Sequence, residues 1–119
     1  MTESKEDIAI YHNPRCSKSR TALELLRERG IEPRVIEYLK TPPSREQLRE
    51  LLGKLGLRAE QLVRRGEDVF KTRFAGRGLS EAEWLDAMAS HPILIERPVV
   101  VRGNRAVIGR PPEKVLELL

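Results

Sequence analysis

Cys16 is the only cysteine in the chain and stands in the run His12-Asn13-Pro14-Arg15-Cys16-Ser17-Lys18-Ser19-Arg20, after an apolar strand-like segment and before a helical pattern. A thiol at a helix N-terminus feels the partial positive charge of backbone N–H groups that lack an intrahelical acceptor, which favours the thiolate. Arg15, Lys18 and Arg20 act in the same sense. A free cysteine is also a common small core residue, and the cationic, turn-rich setting is what argues for a nucleophile here. A lone cysteine forms no internal disulfide, and no CxxC or Cys/His cluster at zinc spacing accompanies it.

A segment of this kind needs a scaffold, and 119 residues suffice for one domain, 1–119, with its own core and without staples or a structural metal. Residues 1–7 are charged and read as a flexible N-terminus. No apolar run approaches the roughly 18 residues of a membrane span, and lone-cysteine usage fits a reducing cytosol. The expectation is a soluble cytoplasmic protein. Net charge is +4 with 34% charged residues of both signs, so the excess is modest. With only five aromatic residues for base stacking, a local cationic pocket for a small anion fits better than a nucleic-acid groove.

Hydrophobic periodicity supplies the elements. Ile8-Ala9-Ile10-Tyr11 and Val35-Ile36-Glu37-Tyr38 read as strands; between them Ala22, Leu25 and Leu26 recur at helical spacing and Gly30 closes the segment. Strand, helix, strand in that order predicts a right-handed βαβ unit with parallel strands. Ser44 with Gln47 is a capping box opening a helix along Leu48, Leu51, Leu52 and Leu55, which ends at Gly56. A short helix through Leu62 and Val63, ending near Gly66, and a loop from Phe70 to Leu79 follow. Ser80 and Glu83 repeat the capping box, ahead of a helix burying Trp84, Ala87 and Met88 and stopped by His91-Pro92. Pro98-Val101 and Ala106-Ile108 read as a hairpin around a type II′ turn at Gly103-Asn104, and Pro111-Pro112 opens a last helix that turns Val115, Leu116 and Leu119 inward. The fold class predicted is α/β: βαβ, a helical insertion, then ββα, with a four-stranded mixed sheet flanked by helices.

That order is the thioredoxin arrangement, and four separate segments resemble one branch of it. His12-Asn13-Pro14-Arg15-Cys16 with Ser19-Arg20, Tyr38-Leu39 with Thr41-Pro42-Pro43-Ser44, His91-Pro92-Ile93-Leu94-Ile95-Glu96-Arg97-Pro98 and Gly109-Arg110-Pro111 are similar to the glutaredoxin-coupled arsenate reductase family, from about residue 8 to the C-terminus. The resemblance implies Cys16 as nucleophile, Arg64, Arg97 and Arg110 as the oxyanion ligands, and His12 and Ser19 as residues behind the nucleophile. Arg65 is an alternative to Arg64. It also implies a cis peptide at Arg97-Pro98 and arsenate as substrate, with no bound cofactor. Glutathione enters as co-substrate and glutaredoxin as the partner that regenerates Cys16. Neither a membrane nor a nucleic acid is an implied partner. The absence of a resolving cysteine agrees with external thiols.

Lys18 departs from the small neutral residues of better-studied members, and it either strengthens anion binding or changes its preference. Rival readings remain open. An Spx-type regulator that binds RNA polymerase shares the fold, but its CxxC switch would need a cysteine where Ser19 stands. A phosphatase-like C-x5-R loop is rejected, because position 22 is Ala22. A thiol oxidoreductase that acts on glutathione mixed disulfides without arsenate is compatible with the sequence.

Overall fold

The computed structural model describes residues 8–119, so the N-terminal segment read as flexible lies outside the described residues. Contacts group the chain into two compact units: the described part of Met1–Thr41 together with Arg97–Leu119, and Pro42–Glu96.

The first unit holds all four strands. The all-apolar run β1 (Ile8–Tyr11) pairs in parallel with β2 (Arg34–Ile36) and antiparallel with β3 (Val99–Arg102), which forms a hairpin with β4 (Arg105–Ile108). The sheet order is β2-β1-β3-β4, the mixed four-stranded arrangement expected. Side chains alternate across a strand, so Ile8, Ile10 and Val100 share one face. There they pack with Ala22, Leu23 and Leu26 of α1 (Ser17–Glu28) and with Val115 and Leu118. Gly30, at φ +77°, takes the left-handed conformation that lets the chain leave α1. In the hairpin, Gly103 has φ +60° and no non-glycine residue among the described residues has positive φ, which fits a II′ turn and excludes I′.

Details differ from expectation. β2 begins and ends earlier than Val35–Tyr38, because Lys40 and Thr41 N–H both donate to Glu37 O and turn the chain, while Tyr38 is carried into the core. Leu23, not Leu25, completes the buried stripe of α1. The last helix is a 3-10 helix, Pro112–Leu118. Its three-residue period eclipses Val115 and Leu118, so these two are buried and Leu119 is 42% exposed.

The second unit is helical. Both capping boxes form: Ser44 with Gln47 opens α2 (Arg45–Leu55), and Ser80 with Glu83 opens the fifth helix of the chain, Glu81–Ser90. Between them lie α3 (Ala59–Leu62) and α4 (Asp68–Arg73); numbered in order, Glu81–Ser90 is α5. Leu48, Leu51, Leu52, Leu62, Trp84, Leu85 and Met88 are buried. Two expectations fail here. Val63 is not helical; it leaves α3 in extended conformation and bridges to Ile95. Residues 70–73 are not loop but the end of α4, where Phe70 stacks on Trp84 with ring centroids 6.1 Å apart, a tertiary contact that local pattern does not reveal.

Candidate active site

Cys16 is the N-cap of α1, half-buried, and its side chain makes no capping hydrogen bond. The orphan N–H groups of the first turn are therefore not consumed by the thiol. No acidic residue occupies that turn. The approach from β1 is held by short-range bonds: Cys16 N–H donates to Asn13 O at 2.9 Å, Arg15 N–H to Asn13 Oδ1 at 3.0 Å, and the Arg20 guanidinium to Pro14 O at 2.9 Å. Asn13, buried and acting as both donor and acceptor, was not singled out from sequence; its place two residues before Arg15, where an Asx side chain can close a turn onto the backbone, is the signal that was available.

Ser19, fully buried, ties the loop to α1. Its Oγ lies 2.6 Å from His12 Nδ1 and accepts the Asn13 N–H at 3.1 Å. With a neutral imidazole, Ser19 O–H donating to Nδ1 places the ring proton on Nε2. His12 N–H donates to Ile36 O, continuing the β1–β2 ladder. His12 and Ser19 thus stand behind the nucleophile's loop and order it. Burial holds the His12 imidazole below its ordinary pKa of 6.5; Glu37 opposes this and Arg27 and Arg20 reinforce it.

This has a consequence for stability. The unfolded chain takes up the His12 proton at about 6.5 and the folded chain only at lower pH, so between the two values the unfolded state binds more protons. The contribution is present in full above 6.5 and is lost as pH falls through the folded value. Denaturant unfolding is expected to show a steeper loss of stability below pH 6.5 for the wild type than for His12→Gln. Parallel pH profiles would show that His12 does not titrate abnormally.

Strand register places the two later arginines of the first unit. Tyr11 pairs with both Ile36 and Val99, and Val99 with Ile108. The loop leading from β1 to Cys16, the Arg97-Pro98 entry to β3 and the Gly109-Arg110 exit from β4 therefore lie at one end of the sheet. Arg97-Pro98 is cis as expected, and Arg110-Pro111 is cis as well, which was not foreseen. Arg110 Nε donates to Arg97 O at 2.9 Å, and Gly109 N–H donates to Pro98 O at 2.8 Å. Gly109 is required by close approach: a Cβ there would sit 2.9 Å from Pro98 Cγ and 3.0 Å from a Val115 methyl. Both arginines are half-buried.

Arg64 belongs to the second unit. It follows the Val63–Ile95 bridge, its N–H donating to Leu94 O at 2.7 Å, and its Nε lies 3.5 Å from a Glu67 oxygen and 3.8 Å from a Glu96 oxygen. Arg65 is exposed and its guanidinium stacks over the Phe70 ring at 5.4 Å. Glu67 and Glu96 were not picked out from sequence. Among the described residues no group of His, Cys, Asp and Glu could hold a metal ion, and no helix is long and apolar enough to cross a membrane.

The ArsC family model matches residues 11–118. An arsenate reductase of Neisseria meningitidis is 44% identical over 95% of this chain and 98% of its own length. The uncharacterized protein YfgD of Escherichia coli K12 is 50% identical over 96% of this chain and 98% of its own length. A solved structure of an arsenate reductase from Vibrio cholerae is 50% identical and superposes with a TM-score of 0.91, covering 94% of this chain and 97% of that one.

Proposed function

We propose that this chain, which belongs to the ArsC family and has its thioredoxin-like fold, reduces arsenate to arsenite through a covalent adduct on Cys16, with glutathione and glutaredoxin as reductants. The observation that carries this reading is the placement of the sole cysteine at the N-cap of α1, its side chain not spent on capping, at the sheet end that also receives Arg97 and Arg110.

Arsenate near neutral pH is a tetrahedral dianion, so a thiolate that approaches it meets like charge. Arginine forks and first-turn amides offset that repulsion with charge-assisted hydrogen bonds. Arg110 Nε donates to Arg97 O, which ties the guanidinium to the backbone of the second proposed anion ligand. Arg64 is carried over from the family pattern as the third ligand. Cys16 Sγ attacks arsenic, an As–O bond breaks, and the departing oxygen leaves as water after protonation. Glutathione thiolate then attacks Cys16 Sγ. The S–As bond breaks with its electron pair staying on arsenic, As(V) becomes As(III) and leaves as arsenite, and the two sulfurs are left as a mixed disulfide. A glutaredoxin thiolate takes the glutathionyl group and releases Cys16.

With one cysteine, the chain cannot form the internal disulfide that a thioredoxin would reduce. Arsenite formation is therefore expected with glutathione plus glutaredoxin and not with thioredoxin and its reductase alone. Turnover driven by thioredoxin alone would overturn the reductant assignment. Reduction of a glutathione mixed disulfide with no arsenite produced would replace arsenate by a disulfide substrate.

A further inference from the structure

Arg64, one of the proposed oxyanion ligands, has two carboxylates beside its guanidinium. The Leu94 and Leu62 carbonyls accept from Arg64 N–H (2.7 Å) and Glu96 N–H (2.8 Å), locking residues 62–64 against 94–96 in antiparallel register. Residues that alternate with the bridged pair share a face, so the Arg64 and Glu96 side chains emerge together. Glu67, three residues on, reaches the same edge. Both carboxylates approach Nε, at 3.5 and 3.8 Å, and all three side chains are about equally shielded, with exposures of 22%, 24% and 25%. Nη1 is buried and has no hydrogen-bond acceptor.

Two carboxylates beside a guanidinium are an unfavourable setting for a dianion. Yet a half-buried guanidinium left alone would be an uncompensated charge. The carboxylate contacts to Nε are long, whereas a tetrahedral oxyanion can take the Nη edge with shorter, charge-assisted bonds. We infer that Glu67 and Glu96 act as an internal competitor for Arg64: they neutralise it while the site is empty and set the oxyanion affinity by what must be displaced. This rests on the reading of Arg64 as an oxyanion ligand, and it makes Glu67 and Glu96 specificity-determining residues that need not touch substrate.

The test measures binding of inorganic sulfate and of arsenate, without thiol reductant, to the full chain by titration calorimetry. Glu67→Gln and Glu96→Gln are each expected to lower Kd on the order of fivefold, the size of one nearby charge screened as in bulk water, and to lower KM in turnover without raising kcat. Arg64→Ala is expected to raise Kd, and the gain from either Gln change should shrink in that background, because the carboxylates then have no guanidinium to withhold. Should a Gln variant fold poorly, Glu67→Asp, which retains charge but retracts it from Nε, is expected to tighten binding by less than Glu67→Gln. If Arg64→Ala binds arsenate as well as the wild type, Arg64 is no ligand and the inference falls with that reading. If Arg64→Ala weakens binding but both Gln variants leave Kd unchanged or higher, Arg64 keeps its role and the competitor is overturned. A Gln gain that persists undiminished beside Arg64→Ala would mark general charge repulsion and overturn it too.

Discussion

Cys16→Ser is expected to remove arsenite formation altogether, a fall of at least about a thousandfold in kcat that takes the assay to its floor. The hydroxyl is close in size to the thiol and sits at an N-cap, where serine is a favoured residue. The fold should thus be intact, and far-UV circular dichroism and thermal midpoint are expected to match or slightly exceed the wild type. What is lost is the sulfur. An alkoxide is not available near neutral pH without a general base, and a serine ester of arsenate would offer glutathione no S–S bond to form. Anion binding should survive the change, because Arg97 and Arg110 are untouched and a capping hydroxyl engages only one of the first-turn amides of α1. Calorimetry with arsenate is expected to give a Kd within a few-fold of wild type. Mass spectrometry after incubation with glutathione and arsenate should show a glutathionyl adduct on the wild type and none on the variant. Residual turnover in Cys16→Ser above about one percent of wild type would move the chemistry to another group.

Those features were legible in the sequence because they are local. A cysteine between a strand pattern and a helix pattern can hardly avoid an N-cap position, and both capping boxes are four-residue signatures that formed as spaced. The II′ turn at Gly103-Asn104 was readable for the same reason. What could not be read depends on contacts between distant residues. Residues 70–73 are helical because Phe70 finds Trp84 and Phe74 packs near the same ring, a pairing across the sequence that no window contains. Val63 leaves its helix for Ile95, and that bridge is what brings Glu96 beside Arg64. The C-terminal segment seats Val115 and Leu118 together against α1 and the sheet in 3-10 form, whereas the sequence predicts a helix that turns Val115, Leu116 and Leu119 inward. The site divides the same way. Cys16, His12 and Ser19 sit in one short segment, and Arg97 and Arg110 were placed by resemblance before strand register put them at one end of the sheet. Arg64 was found by resemblance too, but its carboxylate partners were visible only in three dimensions.

Arg110→Lys is expected to lower kcat/KM for arsenate by roughly a hundredfold to a thousandfold, the scale of removing a charged donor from a developing oxyanion. Charge alone does not explain such a loss, since lysine keeps it. The difference is geometric. Arg110 uses Nε to hold Arg97 O at 2.9 Å, which fixes the guanidinium plane, and a guanidinium can bond an anion through its other nitrogens at the same time. A lysine ammonium has a single nitrogen: if it bonds Arg97 O it is drawn off the anion, and if it bonds the anion the Arg97 carbonyl loses its donor. Arg97→Lys keeps that backbone carbonyl and should therefore cost less than Arg110→Lys. The two changes share one anion, so their combined cost is expected to fall short of the product of the single effects. Arg105→Lys is the matched control. Its guanidinium donates to Glu117 O at 2.9 Å beside the C-terminal 3-10 helix, and its strand pairing with Arg102 puts it at the opposite end of β4 from Ile108 and Arg110. It should leave kcat/KM within about twofold of wild type, as surface changes usually do. Steady-state kinetics on the four proteins, with arsenate protection of Cys16 from iodoacetamide as an equilibrium readout, gives the comparison. Equal small losses at positions 105 and 110 would mean that the sheet end holding Arg97 and Arg110 does not bind the oxyanion. The Cys16 chemistry would then need a different set of cations.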